Sequence, residues 1–426
     1  MLRLPTPIVM LLIVVGTVRV AVVTWSAIDR SRGDFYASMP GAYVETFNPA
    51  LWNSPDMTAA WGYHRETYFH GPTQYLTLYP LALFDSFASI ALVLLPLYGA
   101  LLAAAFFLLW RVAKRLGGTA DVFAPLFAAT FLFLPLLQAY LQREFEVVVL
   151  AALSAALLLL LNDRRGAAAG LLAYVAWFKY IPVLYAGYLL LRRWWRELAV
   201  FAAVSIAVLI LSEALFGLWR FFNNNVPAHA AQAFTVWGSD FRIDATGHLY
   251  GTGFCDGWID TQTSLANVRH GLCTLASRHA WIHPPLIYLG LCLSIAVFYL
   301  RTQLLLDRRT APALEERRRA IEFSIVTTVC ACFVFGHYYY LTVLIIPFNV
   351  LLVMYWREGR VRSVALWAIA YALVGAFVVP IGVLSRISGY DVWALFIRHS
   401  LFLYGELLLM GLLLNEYRRL AVVARV

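Results

Sequence analysis

Charge is scarce in this chain, and lysine scarcer still. Only 13% of the 426 residues are charged, and Lys114 and Lys179 stand alone against a large excess of arginine. A soluble protein of this length needs far more polar surface. No Gly-x-x-x-x-Gly-Lys-Ser/Thr phosphate loop occurs, which argues against direct ATP use. Neither His-Glu-x-x-His nor a Cys-x-x-Cys pair is present, so no zinc site is expected. Asn-x-Ser/Thr sequons, tandem repeats and low-complexity tracts are absent too. Cysteine is limited to five residues. Cys292, Cys330 and Cys332 lie in apolar runs and read as core. Cys255 and Cys273 share one polar stretch, where an oxidising compartment would permit a disulfide between them.

What is abundant is apolar sequence, at 62% of the chain. Twelve runs approach the roughly 20 residues that a bilayer demands, at 5–28, 86–110, 121–140, 147–161, 167–179, 182–191, 198–218, 284–303, 320–336, 338–356, 363–384 and 400–417. No water reaches that depth, so each run is expected to be helical. The pair at 167–191 is short for two crossings and can be tilted or re-entrant. The first run carries Arg19 and ends in a poor cleavage site, so it reads as a retained helix rather than a removed leader. The expected fold is an all-α polytopic membrane protein: one integral domain, residues 1–426, with about twelve spans and two long extracytoplasmic loops at 29–85 and 219–283.

The basic residues orient these runs. With the N-terminus inside, twenty-one of the 33 Lys and Arg residues fall in inner gaps such as Arg111–Arg115, Arg192–Arg196 and Arg308–Arg319. This is the positive-inside bias. It accounts for most of the net charge of +9 and leaves no need for a nucleic-acid partner. The same parity places all nine histidines outside or at outer helix ends. Chemistry is therefore expected on the outer face.

A few residues stand out there. Asp34, in Arg30-Ser31-Arg32-Gly33-Asp34-Phe35-Tyr36, lies at the rim of the first helix. It can act as a general base toward a hydroxyl or cap an interfacial helix that begins near Phe35. Lys179 ends an apolar run just before Pro182. An ammonium at membrane depth is usually paired or functional, though it can also snorkel to the interface. Arg143 sits in a short gap with Glu144 and Glu146. It can hold a phosphate through two hydrogen bonds or close the turn onto those acids. His337, among tyrosines, reads as a donor or a structural residue. Arg269 reads as an anion contact or a solvated loop charge. Glu213 and Glu406, inside runs, read as interhelical hydrogen-bonding groups or as a proton path.

This order of elements resembles the C-type glycosyltransferases, in the GT87-like branch of bacterial polyprenyl-phosphate-hexose-dependent transferases that includes α-mannosyltransferases. A first helix leads into a long outer loop that opens on Asp34 and aromatics and closes on a Gly-Pro. The stretch from Asn162-Asp163-Arg164-Arg165-Gly166 through Lys179-Tyr180-Ile181-Pro182 to Leu191-Arg192-Arg193-Trp194 matches best, and Gly336-His337-Tyr338-Tyr339 is similar to a His-containing element of the family. Two stretches depart from it. His70-Gly71-Pro72 stands where a Tyr-Pro-Pro-like element is usual, and Leu141-Gln142-Arg143-Glu144-Phe145-Glu146 replaces a Gly-Gln-x-Asn turn.

The resemblance implies an inverting, bacterial inner-membrane enzyme working on the periplasmic or exterior side without a cofactor. It would move a hexose, mannose first, from a polyprenyl-phosphate donor to a glycolipid or glycan. Asp34 would be the base, with Asp29 in reserve. Lys179, Arg143, His337 and Arg269 would meet the donor phosphate, and Tyr36, His70, Glu144 and Glu146 the sugars. Loop one has no Asp-x-Asp or Glu-x-Asp pair, so catalysis is expected to need no metal. Two other classes stay open: a transporter or flippase of a lipid-linked saccharide, and a glycan ligase or polymerase.

Overall fold

A computed structural model describes residues 4–33, 87–142, 145–179, 184–216, 240–243, 249–252, 268–277, 281–307, 312–334, 338–375, 381–390 and 399–423, with single positions at 73–80, 279 and 392–396. Helices occupy nearly all of it. They are α1 (Thr6–Gly33), α2 (Phe87–Arg115), α3 (Phe123–Phe131), α4 (Leu134–Gln142), α5 (Glu146–Leu161), α6 (Arg165–Lys179), α7 (Leu184–Leu191) and α8 (Trp195–Phe216). Loop two contains α9 (Val268–Ala276), and after it come α10 (Pro284–Asp307), α11 (Pro312–Val329), α12 (Ile345–Arg357), α13 (Val361–Val374), α14 (Ile381–Ser388) and α15 (Leu401–Val423).

The described residues are almost all helical, as expected for the all-α class, with one short exception. Loop two holds a two-stranded antiparallel ribbon, β1 (Asp240–Ile243) and β2 (Leu249–Thr252), with Asp240 opposite Thr252. Arg242 and Tyr250 pair across it. The apolar-run reading passed over these short strands because neither is long or apolar enough to register.

Every expected apolar run contains helix, but the helices differ as spans. Among the described residues five are long and apolar enough to cross a membrane: Thr6–Ser26, Val93–Arg115, Trp195–Leu215, Pro284–Leu306 and Tyr340–Arg357. A sixth arises if α3 and α4, bent by 55°, count as one broken span. The chain is thus a multi-pass membrane protein. The remaining helices are too short or too charged to qualify alone. α7 has 8 residues, while α11 begins with Glu315, Glu316, Arg317, Arg318 and Arg319.

Burial sorts the helices. α5 and α12 form the centre, with Leu150, Leu157, Leu160, Phe348, Leu351 and Tyr355 almost fully buried. Their sequences are apolar on every side, as a helix surrounded by helices requires. α8 and α10 instead display Ile206, Ile210, Leu293 and Val297 outward. In water such surface would be a liability; against lipid tails it is at home.

Helix breaks at membrane depth need partners for the freed backbone groups. The α3–α4 break has one, since the Leu134 N–H donates to the Gly375 carbonyl at 3.0 Å. Nearby, Tyr371 donates to the Ala129 carbonyl at 2.5 Å and Asn349 Nδ2 to Thr130 Oγ1 at 3.2 Å.

One end of the bundle gathers the arginine-rich gaps. Arg115 pairs with Glu316 at 2.7 Å, Arg317 with Glu358 at 2.9 Å, and Arg319 with Asp163 at 3.0 Å. Arg192 meets Glu315, and Arg360 meets Glu416. Arg165, Arg192 and Arg319 all lie over the Trp194 ring, at 4.9, 4.8 and 5.6 Å. Turn geometry supports the same end. Gly117 has φ +83°, and a Cβ there would lie 2.7 Å from Arg357 Nη1. That nitrogen donates to the Leu116 carbonyl at 3.2 Å.

Candidate functional site

The opposite end is built from interruptions. Three helix boundaries face one another there: the α4–α5 turn, the α6–α7 break, and the π turn Cys330–Val334 that ends α11 before the 3-10 helix Tyr338–Leu344. A single cavity touches all of them. Glu146, Val149 and Leu153 of α5 line it, with Val175 of α6 and Tyr185 of α7. Thr327, Cys330, Ala331, Tyr340 and Val343 complete the wall. Its volume of about 20 Å³ accepts one water and is far too small for a sugar. It marks where the breaks meet.

Each boundary has a local cause. Pro182 follows the α6 terminus and disfavours helix at Ile181. π turns often sit at functional positions, and this one is tied down by Tyr288, whose hydroxyl donates to the Phe333 carbonyl. Glu146 is the first residue of α5 and 3% exposed; a carboxylate is favoured at a helix N-terminus. Phe145 and Phe178 stack edge-on at 5.3 Å and join the first two boundaries. Tyr185 and Thr327 share a 2.5 Å hydrogen bond across the cavity. Thr77, from the end of loop one, bonds the Tyr174 hydroxyl at 2.7 Å.

The residues anticipated from sequence divide in two. Asp34, Tyr36, His70, Arg143, Glu144, His337 and Cys255 lie outside the described residues. α1 ends at Gly33, so Asp34 follows directly, while Asp29 falls within its last turns. Thr24 of α1 donates to the Tyr140 hydroxyl on α4 at 3.4 Å, three residues before Arg143. Lys179 is the last residue of α6, one turn beyond the cavity-lining Val175. Arg269, in the first turn of α9 and half-buried, lies within electrostatic reach of Tyr288. Through Tyr288 it is linked to the π turn that precedes His337. Cys273 is disulfide-bonded, whereas Cys292, Cys330 and Cys332 form no disulfide.

Several groups escaped the sequence reading. Tyr185, Thr327 and Tyr288 sit in apolar runs and carry no pattern that marks them. α9 is locked onto the start of α15: Ser400 donates to the Gly271 carbonyl at 3.4 Å, and His270 stacks on Phe402 at 5.9 Å. A Cβ on Gly271 would come within 2.8 Å of Leu403. Just below, Glu406 is 1% exposed and stands near Cys332 of the π turn. The interhelical hydrogen bond expected for it is not made, and both of its oxygens lack hydrogen-bond partners. The Oε2 atom of Glu213 is likewise unbonded. No group of three or more His, Cys, Asp or Glu residues suited to a metal ion occurs among the described residues.

Comparison with known families gives one finding. Residues 68–251 match the model described as glycosyltransferase family 87. The matched stretch runs from the end of loop one through α2–α8 into the ribbon, and includes the α4–α5 and α6–α7 boundaries. No curated protein matches the chain. The family match indicates a membrane glycosyltransferase, an enzyme of the transferase class.

Proposed function

We propose that this enzyme transfers a hexose, mannose in the first instance, from a polyprenyl-phosphate donor to a glycolipid or glycan on the outer face. The observation that carries this reading is the meeting of three helix interruptions at the end remote from the arginine network. The segments beside them bear Arg143, Glu144 and Glu146, then Lys179, then His337. A lipid-phosphate donor enters from the bilayer, and its phosphate meets Lys179 and Arg143. Arg269, beside Tyr288, adds positive charge on the far side. The acceptor approaches from the aqueous side between loops 29–85 and 219–283. Asp34 removes the proton from the acceptor hydroxyl. That oxygen attacks the anomeric carbon, the carbon–oxygen bond to phosphate breaks, and polyprenyl phosphate leaves with the bonding pair. Configuration inverts. Cations placed where charge grows on the leaving oxygen lower the barrier. Loop two, closed on its own helix α9 by a Cys255–Cys273 disulfide, would border the acceptor side.

The test uses purified full-length protein in nanodiscs with labelled polyprenyl-phosphate mannose and an extracted lipid acceptor. The reading expects a labelled glycolipid product without any ion gradient, and its loss in Asp34→Asn. Full activity in Asp34→Asn places the base elsewhere. The buried, unbonded Glu406 favours a second reading, a transporter of a lipid-linked saccharide. Movement of the labelled lipid between leaflets without covalent change would establish it instead.

A further inference from the structure

At the arginine-rich end, five buried polar atoms converge without a hydrogen bond from the protein. They are Tyr188 Oη on α7, Arg192 Nε just after it, Tyr299 Oη and Gln303 Oε1 on α10, and Glu322 Oε2 on α11. All five side chains are at least nine-tenths buried. They share one place. Arg192 Nε faces Glu322 Oε2 at 3.5 Å, and both tyrosines lie within electrostatic reach of that pair. Gln303 Nε2 donates to the Leu191 carbonyl at 2.6 Å, which brings its amide next to Arg192. Tyr417 of α15 forms the far wall, donating to Glu322 Oε1 at 2.6 Å and stacking on Tyr299 at 5.3 Å. Arg318 holds the same oxygen at 2.7 Å.

Orphaned polar atoms in a buried place cost stability unless something bonds them. The chemistry of this set decides what that is. Arg192 Nε can only donate, Glu322 Oε2 and Gln303 Oε1 only accept, and the two hydroxyls do either. A bound anion would face the Glu322 carboxylate, and a bound cation would face two arginines. Water alone satisfies both kinds of group. We infer that α7, α10, α11 and α15 enclose a hydrated site whose water bridges Arg192 to Glu322 and bonds the Tyr188 and Tyr299 hydroxyls. The site anchors the inner end of α7, the helix that follows the Lys179 break.

Tyr188→Phe and Tyr299→Phe test this, because each removes one hydroxyl and keeps the ring. In detergent-solubilised full-length protein, water at the site makes each hydroxyl a bonded group, so each change lowers the thermal midpoint by a few degrees. High-resolution density for the unmodified protein then shows a water beside this pair, within hydrogen-bond distance of both Arg192 Nε and Glu322 Oε2. A dry site gives the opposite sign, because removing an orphaned hydroxyl raises the midpoint. A raised or unchanged midpoint in both variants, or no water density within hydrogen-bond distance of Arg192 Nε and Glu322 Oε2, overturns the inference.

Discussion

The arginine-rich end and the interrupted end solve the same problem in opposite ways. Both bury polar groups in a membrane bundle. At the first, many charges meet a counter-charge supplied by the protein: Arg318 on Glu322, Arg317 and Arg419 on Glu358, Arg319 on Asp163. Such an end is closed and fixes how the helices assemble. At the second, helices stop within the bundle and a carboxyl such as Glu406 remains unbonded. Polar groups left without protein partners at depth carry a cost that folding alone does not return. The first end also holds unbonded atoms, around Arg192 and Glu322, but they sit within an ion-pair network, whereas Glu406 has no hydrogen bond at either oxygen; on the proposed function the second end is the one that binds.

The sharpest way to break that contrast is at Asp34. If the interrupted end does the chemistry, Asp34→Asn should lower transfer about 10²–10⁴-fold, the usual range for a positioned general base, with expression and thermal midpoint unchanged. Product formation per amount of folded protein measures it. Lys179→Met should follow with a smaller loss, while Lys179→Arg should recover only part of it, because a planar guanidinium does not replace a compact ammonium.

At the other end the expected effect falls on stability. Glu322 is fully buried between Arg318 and Arg192. Glu322→Leu leaves two guanidinium groups without their carboxylate, and breaking a buried pair from one side typically costs about 3–5 kcal/mol. Thermal unfolding in detergent should show a large fall in midpoint, with specific activity of the surviving folded fraction near normal. A variant that stays stable but loses activity would erase the distinction between the two ends.

How far the sequence foretold this contrast follows from what each end is made of. The closed end was legible because charge in a membrane protein is rare and its sign is biased. Arg111–Arg115, Arg192–Arg196 and the cluster at Arg317–Arg319 could be assigned to one side from spacing alone, and residues from all three gaps do meet. The positions of helices were legible for the same reason, as runs of apolar residues. Which runs count as full spans was not, because α11 and α15 carry their charges on faces covered by neighbours, and hydropathy cannot see a neighbour. The ribbon at 240–252 is too short to leave a pattern. The interrupted end was partly legible through Lys179 beside Pro182 and through Arg143 with its acids. Tyr185, Thr327 and Tyr288 became visible only in three dimensions, since a hydroxyl in an apolar run looks alike whether it lines a cavity or faces lipid. Asp34 and His337 lie outside the described residues, so their roles stay with the proposal.

Helix packing offers a test of intermediate size. Gly405 lets α15 press on α13, and a Cβ there would lie 2.8 Å from Leu373 Cβ and 2.9 Å from the Ala370 carbonyl. Neither atom is the end of a flexible chain, so the helices must separate. Overpacking of this kind costs about 1–3 kcal/mol. Glu406 is the next residue, so Gly405→Ala should lower the midpoint and disturb transfer together, unlike Glu322→Leu. Gly117→Ala acts at the closed end and should cost less, about 1 kcal/mol for a residue at positive φ, with activity untouched.

The smallest effect belongs to the exposed rim of the arginine network, and pH reaches it. Hydrogen bonds from Arg165 and Arg319 hold the Asp163 carboxyl below its ordinary range. At Glu358 burial pushes the other way, yet Arg419 and Arg317 bring the net shift down as well. A carboxyl whose pKa is lower folded than unfolded adds stability above its unfolded pKa, about 4, and loses it as pH falls through the folded value. The midpoint should therefore be flat from pH 8 to about 5 and drop below that. Asp163 is exposed and Arg419 half-exposed, so solvent screens both, and Arg419→Ala should cost under about 1 kcal/mol. Added salt should shrink that difference further while leaving the Glu322→Leu loss in place, because the pairs around Glu322 are shielded from solvent. A salt-sensitive Glu322 variant would mean that the network's centre is as open to water as its rim.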